Sequence, residues 1–210
     1  MFYDDKPQNM LRFGDVVGGL ILSHCRRYTP SRSAKPDVYD IAVNHPQFAA
    51  VLTPCCTIAN RSGNMLTLSP LQKITPTYYF TNSYLREDLT RLNREMTIQE
   101  AIGPEKWKEM SDEQQAEYLS KHSRKLFNQS NEFVYDKHDL LPGYEIKYKQ
   151  QRTELNYYKI DFRQIFKVEF DINSTAPAIK YLQLSVQARA ELRDKLSHYF
   201  GRPPEEDQGN

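Results

Sequence analysis

Two of the three cysteines in this chain, Cys55 and Cys56, stand side by side in the stretch VLTPCCTIAN. A cysteine acts as a nucleophile when a nearby histidine, a basic residue or a helix N-terminus favours its thiolate form. The possible bases are the five histidines, His24, His45, His122, His138 and His198. The alternative is structural: the pair ends a buried strand, with one side chain in the core and the other at the rim. We favour the structural interpretation because spacing selects none of the histidines.

The cysteines are poorly spaced for a metal site. Zinc sites normally use two cysteines separated by two to four residues. Neighbouring side chains on a strand point to opposite faces, so Cys55 and Cys56 cannot coordinate the same ion. The adjacent pair His24 and Cys25 has the same difficulty. The chain also lacks the glycine-rich and catalytic motifs of nucleotide-binding folds, hydrolases and metalloproteases. We predict no metal and no cofactor.

Two segments combine basic residues with tyrosines. RRYTPSRSAK contains Arg26 and Arg27, and KYKQQRTELNYYK contains Lys147, Lys149 and Arg152. Cations hold phosphates, and aromatic rings stack on unpaired bases, so these segments predict contact with RNA or DNA, single-stranded RNA in particular. The net charge is only +1, which requires any such surface to be a local patch. The alternative is a solvated loop that keeps a neutral protein soluble.

The composition limits the number of domains, the cellular location and the membrane contacts that the chain can have. The 210 residues suit a single domain over residues 1 to 205, followed by a flexible acidic tail over residues 206 to 210. An odd count of three cysteines predicts a reducing, cytoplasmic location. No apolar run approaches the roughly 18 residues of a membrane helix, so we predict no membrane contact.

The hydrophobic pattern predicts strands, then helices, then strands, then a terminal helix. Residues 11 to 25 read as an opening strand with a bulge or bend at Gly18 and Gly19, and residues 26 to 37 read as a loop. Buried strands are predicted at residues 47 to 53 and 65 to 71. The order indicates an α+β fold, with a small barrel or sheet as its scaffold.

A helical insertion is predicted at about residues 82 to 127. Thr97 with Glu100 and Ser111 with Gln114 both match the capping-box pattern, and Pro104 suits a first helical turn. This charged segment either forms a surface for a protein partner or covers a sheet face. After it, residues 157 to 172 predict one or two strands.

The C-terminal helix is predicted to begin after Ser185 and to end at Gly201. Its apolar residues fall near one face: Val186, Ala190 (with Leu192 or Arg193), Leu196 and Phe200.

Three short pieces stand out in the N-terminal third: GDVV at residues 14 to 17, AAVLTP at 49 to 54 and LTLSP at 66 to 70, with Asn60 in the loop before the last of these. In these pieces the chain resembles the MazF/PemK group of small barrel proteins. The resemblance implies an SH3-like barrel and RNA lying against the loop after the first strand. It brings Asp15, Thr53 and Thr57 into the candidate binding set with the five basic residues. The toxins carry Arg-Pro before the second piece; His45-Pro46 occupies that place here, so His45 joins the cysteines as a candidate catalytic residue.

Three elements span both ends of the chain: GDVV at residues 14 to 17, VLTxxC at 51 to 56 and YFGR at 199 to 202. In these elements the chain more closely resembles a group of uncharacterised bacterial proteins. An aspartate usually follows the cysteine element in that group, and Thr57 stands there in this chain. The resemblance implies a bacterial cytosolic protein of a defence or toxin–antitoxin-like system.

Three functions remain open. The first is a non-enzymatic interaction module that binds a protein partner, with RNA or DNA as a second candidate ligand. The second is a MazF-like ribonuclease toxin with a rearranged site, and the third is a cysteine-dependent enzyme or redox sensor. We favour the first, because the toxin arginine is missing and no complete catalytic set can be assembled from the sequence.

Overall fold

The computed structural model describes residues 1–29, 38–59, 65–76, 83–121, 125–127, 131–169 and 179–201. The chain forms two compact units. Unit 1 comprises Met1, Tyr3–Leu71 and Gln164–Ser185, and unit 2 comprises Phe2, Gln72–Arg163 and Val186–Asn210. Helices and antiparallel strands are both present, which agrees with the α+β class. The single domain over residues 1 to 205 stays a prediction, and the predicted tail lies outside the described residues.

In chain order the strands are β1 (Val16–Gly18), β2 (Leu22–Thr29), β3 (Val38–Asn44), β4 (Ala49–Val51), β5 (Met65–Pro70), β6 (Gln72–Lys73), β7 (Glu95–Thr97), β8 (Lys125–Phe127), β9 (Glu132–Tyr135), β10 (Tyr144–Tyr148), β11 (Gln151–Leu155), β12 (Tyr158–Asp161), β13 (Phe166–Glu169) and β14 (Ile179–Leu182). The helices are α1 (Cys55–Ala59), α2 (Ser83–Glu87), α3 (Ile98–Ile102), α4 (Pro104–Glu109), α5 (Asp112–Lys121) and α6 (Val186–Phe200), with a 3-10 helix at Leu89–Asn93.

Unit 1 is built on an antiparallel five-stranded sheet in the order β13-β5-β4-β1-β14. One buried apolar cluster joins these strands to the start of β2. Its members are Val17, Leu20, Leu22, Ala49, Val51, Leu66, Leu68 and Phe166. The strands predicted at residues 47 to 53 and 65 to 71 correspond to β4 and β5. No sheet formed by the described strands closes into a barrel, so an SH3-like barrel is not confirmed.

The predicted opening strand is divided into two. Gly19 has a φ of 79°, a conformation that side chains with a Cβ rarely adopt, and the chain leaves the sheet there before β2 begins. β2 then pairs with β3 as a separate two-stranded ribbon. The prediction of a loop from residue 26 is wrong for Arg26 and Arg27, because both lie within β2; residues 30 to 37 lie outside the described residues.

Unit 2 contains a three-stranded sheet in the order β6-β12-β9, the hairpin β10-β11 and a two-stranded antiparallel sheet, β7-β8, whose strands flank three helices in the sequence. The 3-10 helix joins this sheet through one side chain. Asn93 Nδ2 donates to the carbonyl oxygen of Val134 at 2.6 Å, and Asn93 Oδ1 accepts from the Val134 N–H at 2.7 Å. The asparagine side chain therefore continues the hydrogen bonding of β9 as a neighbouring strand would.

The helical insertion contains the local structure that its sequence predicts. Thr97 and Glu100 form a capping box at α3, Ser111 and Gln114 exchange the same pair of bonds before α5, and Pro104 occupies the first turn of α4. The pairing of β7 with β8, on either side of these helices, was not predicted. Within the described ranges, no helix is both long enough and apolar enough to cross a membrane.

The C-terminal helix α6 begins after Ser185 as predicted. Only part of its predicted apolar face is buried: Leu192 is buried, but Val186 is 75% exposed and Phe200 is 63% exposed, and the other buried residues of the helix are Ala188 and Lys195. The sequence pattern does not reveal the buried face of α6, because Lys195 lies on it and a lysine is expected at a solvent-facing position. Its ammonium group donates one hydrogen bond to the carbonyl oxygen of Leu92, which offsets part of the cost of its burial.

Candidate functional site

The two cysteines lie on a helix and not at the end of a strand. β4 ends at Val51, and α1 begins at Cys55 directly after Pro54, whose carbonyl oxygen accepts the N–H of Ile58 at 3.2 Å. Proline suits this position because a helix start needs no hydrogen bond from its nitrogen. Both cysteines are exposed, so the prediction of one buried and one rim cysteine is wrong.

The surroundings of the cysteines include one amide donor. The N–H of Phe13 points to Cys55 Sγ at 3.3 Å, from the loop that leads into β1. His45, the third candidate catalytic residue, is exposed between β3 and β4, and no hydrogen bond or ion pair joins it to another described residue. The structure therefore assembles no nucleophile and base from these three residues.

Asp15 and Thr53 are buried and bonded. Asp15 is wholly buried, and its carboxylate lies 2.7 Å from Lys180 Nζ and accepts the N–H of Arg12 at 2.8 Å. Thr53 Oγ1 accepts the N–H of Thr67 at 2.7 Å. The Asp15 contacts lie at the start of β1, and the Thr53 contact joins the segment after β4 to β5. Both side chains are thereby engaged inside the protein.

The remaining candidates of unit 1 are less enclosed. Thr57 is half-buried on α1. Arg26 and Arg27 have their backbone in β2, and their side chains lie outside the described residues.

The three basic candidates of unit 2 share one hairpin, β10-β11. Along this hairpin Tyr144, Ile146 and Leu155 are buried, and the residues that alternate with them are exposed. Lys147 and Arg152 are directly opposite each other on the exposed face. The period-2 alternation fixes this arrangement, because a one-residue slip would expose the tyrosine and bury the cations.

Tyr144 anchors the base of the hairpin. Its hydroxyl accepts the N–H of Ile74 at 2.8 Å and donates to the carbonyl oxygen of Tyr157 at 2.6 Å. Burial raises the pKa of Tyr144 to about 12, so the phenol stays protonated and keeps its donor role at physiological pH. The ring of Tyr158 meets it edge to face, with 5.5 Å between the ring centroids.

Charges are segregated along the exposed face. Glu145 is paired across the strands with Glu154 at the base, and Lys147 is paired with Arg152 nearer the tip. Like charges directly opposite each other destabilise a strand pair, by roughly 0.2–1 kcal/mol. Glu145 relieves part of this repulsion, since its carboxylate lies 3.6 Å from Lys147 Nζ. An anion bound between the two cations would relieve the rest.

The turn of the hairpin contains a further lysine in an unusual conformation. Tyr148 pairs with Gln151, so the loop consists of Lys149 and Gln150. Lys149 has a φ of 54°, a value that two-residue hairpin loops normally assign to glycine, asparagine or aspartate. A residue with a Cβ costs about 1–2 kcal/mol there. Lys149 Nζ lies 5.5 Å from the centroid of the Tyr148 ring.

A surface cavity of about 700 Å³ opens at this turn, and we name it the tip cavity. Its lining is Arg86, Tyr148, Lys149, Gln150 and Gln151. The lining residues supply two cations, one aromatic ring and two amides, and they include no carboxylate. Arg86 comes from α2, which is fixed in place by the buried side chain of Leu85.

A second, smaller cavity of about 380 Å³ in unit 2 has a different character. His138, Asp139 and Glu154 contribute its ionisable groups. His138 Nδ1 accepts the N–H of Leu140 at 3.1 Å, which leaves Nε2 to carry the proton of a neutral ring. Two carboxylates disfavour an anionic ligand. Among the described residues, no group of three or more histidines, cysteines and carboxylates could hold a metal ion.

The structure thus brings Lys147, Lys149 and Arg152 together and adds residues that the sequence did not single out. Gln150 and Gln151 lie between Lys149 and Arg152 in the sequence, whereas Arg86 joins the tip cavity only through the tertiary structure. The one local signal for the hairpin is the alternation of Tyr144, Ile146 and Tyr148. The chain matches no protein-family model, and it matches neither a curated protein nor a solved structure.

Proposed function

We propose that this chain is a non-enzymatic binding protein whose β10-β11 hairpin contacts the phosphates of single-stranded nucleic acid. The observation that carries the proposal is the cross-strand pair of Lys147 and Arg152, with Lys149 at the adjoining turn. A hairpin that only faces solvent would be more stable with opposite charges at these cross-strand positions than with two cations. Here the repulsion is concentrated where a polyanion could relieve it.

The form of nucleic acid follows from an aromatic residue at the turn. The Tyr148 side chain is half-buried next to Lys149, on the face of the hairpin opposite Lys147 and Arg152, and tyrosine rings stack on bases that are not already stacked in a duplex. The net charge of +1 supplies no general attraction for polyanions. Binding should therefore depend on the hairpin itself and fall steeply as salt rises.

The wider setting belongs to the same proposal. A role in a bacterial defence or toxin–antitoxin-like system, and a MazF-like relationship of unit 1, rest on the resemblance of the sequence pieces. A protein partner is supported by two apolar side chains of β3, Ile41 and Val43, which are 60% and 56% exposed. Both lie at alternate positions of the same strand, and so on one face of the ribbon.

Thiol chemistry is a second candidate function, and the exposure of both Cys55 and Cys56 favours it. The ribonuclease alternative has less support. His45 stands where the toxins carry arginine, and no described contact joins it to a cysteine or a carboxylate.

The proposal is tested by fluorescence anisotropy of a labelled 12-nucleotide single-stranded RNA, titrated with the full chain at several salt concentrations. The double variant Lys147→Gln/Arg152→Gln should bind at least tenfold more weakly. Its slope of log affinity against log salt should be smaller by about 1.4, since each lost phosphate contact removes about 0.7.

The matched control is Lys106→Gln/Lys108→Gln on α4, where both lysines are exposed and the change of charge is the same. Equal weakening by both double variants would overturn the proposal, because it would reflect net charge alone. Cleavage of the RNA during the titration, read by gel electrophoresis, would instead favour the ribonuclease alternative.

A further inference from the structure

We infer that the tip cavity is a nucleotide pocket, in which one unpaired base stacks on Tyr148 and its phosphate contacts Arg86 and Lys149. This inference rests on the proposed function and extends it. The hairpin cations would bind a strand at any sequence. The tip cavity would hold one nucleotide of that strand by shape and hydrogen bonding.

The dimensions and lining of the cavity support this assignment. A volume of about 700 Å³ lies within the range of small-ligand pockets, which is roughly 300–1,000 Å³. An aromatic ring, two cations and two amides match the three parts of a nucleotide, because a base offers a π-face and polar edges and the phosphate is an anion. A simple carboxylate ligand would contact the cations and the amide donors, but it has no π-face to stack on the ring.

The cations come from two different elements and converge on one space. Arg86 is exposed on α2, and Lys149 is exposed at the turn between β10 and β11. A guanidinium group donates two parallel hydrogen bonds to phosphate oxygens, and an ammonium group acts as a point charge. A single phosphate can accept from both.

The ring of Tyr148 already attracts a cation. Lys149 Nζ lies 5.5 Å from its centroid, and a base that stacks on the ring would exchange places with this ammonium. Lysine has a flexible stem and the side chain is exposed, so it can turn from the ring to the phosphate of the same nucleotide. The exchange keeps both groups partnered.

The two amides give the pocket a means of reading the base. Gln150 and Gln151 are both exposed at the turn, and each carries one acceptor and two donors. Single-stranded recognition commonly uses such groups on the hydrogen-bonding edges of splayed bases. Affinity should therefore differ among the four bases, which phosphate contacts alone would not produce.

The experiment compares two variants with the hairpin variant Lys147→Gln/Arg152→Gln. Tyr148→Leu removes the π-face and leaves the charges, so it should weaken binding of the 12-nucleotide RNA about tenfold with an unchanged salt slope. Tyr148→Phe should recover most of that loss. Arg86 lies outside the hairpin, so Arg86→Gln tests the pocket without changing the turn. It should also weaken RNA binding, whether or not Tyr148→Leu disturbs the turn.

The second measurement titrates the full chain with each 5′-mononucleotide while NMR amide shifts are followed. Saturable shifts at residues 86 and 148 to 151, with unequal affinities for the four bases, support the pocket. Inorganic phosphate should shift residues 86 and 149 more weakly. Polyglutamate that competes as well as the RNA would mean an acidic protein ligand and would overturn the inference.

The outcomes separate the two proposals. If the hairpin variant loses RNA binding while Tyr148→Leu and Arg86→Gln bind as tightly as the parent chain, the pocket is refuted and the proposed function stands. If the parent chain does not bind the RNA, the proposed function is refuted, and the mononucleotide titration then decides the pocket on its own.

Discussion

Lys147 and Arg152 face each other directly across the two strands of the hairpin, on its exposed side. The relationship has two consequences of opposite sign. It lowers the stability of the free hairpin, and it creates a position where an anion gains from both cations at once. Stability and binding should therefore respond in opposite directions to the loss of either residue.

We expect Arg152→Thr to raise the free energy of unfolding by about 0.5 kcal/mol and to weaken RNA binding. The gain has two sources, which are the removal of repulsion with Lys147 and the higher strand propensity of threonine. Urea unfolding followed by circular dichroism measures it. Lys167→Thr on β13 is the control, since Lys167 is exposed opposite Thr67 and reports the propensity alone. An equal gain in both variants would remove the case for repulsion.

The buried hydroxyl of Tyr144 should have a measurable structural role. Tyr144→Phe leaves the Ile74 N–H and the Tyr157 carbonyl oxygen without this partner, which should lower the free energy of unfolding by about 1–3 kcal/mol. Tyr148→Phe is the matched control, because that ring lies at the turn and is only half-buried. A loss of under about 0.5 kcal/mol would show that water replaces the hydroxyl.

The same tyrosine sets a pH dependence. Burial raises its pKa in the folded chain to about 12, from the ordinary tyrosine value of 10.0. The unfolded chain therefore loses this proton first, and stability falls as the pH rises from about 10 to about 12. Unfolding free energies measured across this window should decline less steeply in Tyr144→Phe. Parallel curves would contradict the role of Tyr144, since other tyrosines would then account for the decline.

The buried pair of Asp15 and Lys180 should be intolerant of a single change. Asp15→Asn leaves the Lys180 ammonium without its countercharge and should cost about 3 kcal/mol of unfolding free energy. The double variant Asp15→Asn/Lys180→Met removes both charges and should recover part of that loss. Thermal unfolding of the three chains provides the comparison. A double variant less stable than Asp15→Asn would mean that Lys180 acts chiefly through its bonds to the carbonyl oxygens of Gln8 and Met10.

Labelling tests the exposure of the cysteine pair and its chemistry together. In the folded chain at pH 7, a maleimide should modify both Cys55 and Cys56, because both side chains are exposed. Mass spectrometry of peptides after timed quenching gives the rate at each site. A rate above that of the urea-unfolded chain would favour thiol chemistry. Protection of either cysteine would contradict the exposure seen in the structure.

The sequence predicts best what depends on residues close together. The capping boxes of Thr97 and Ser111 were predicted because each bond joins residues three positions apart. The strands β4 and β5 were predicted from uninterrupted or alternating apolar residues. The turn at Lys149 was missed because it lacks the glycine or asparagine that usually marks a two-residue loop.

The features that were missed depend on contacts between distant segments. Arg86 reaches the tip cavity from about sixty positions before the turn, and no local pattern links the two. The exposure of Cys55 depends on one short helical turn after Pro54, which hydrophobic periodicity cannot distinguish from the end of a strand. Lys195 occupies a buried position of α6 that residue type assigns to the surface.

The order of strands in unit 1 also determines when its sheet can fold during synthesis of the chain. β1, near residue 16, pairs with β14, near residue 180, and β5 pairs with β13. A ribosome must therefore release almost the whole sequence before the outer strands can join the three that were synthesised first. Until then both sides of the β5-β4-β1 ribbon offer unpaired backbone groups, so the nascent chain is most vulnerable to aggregation during the synthesis of unit 2.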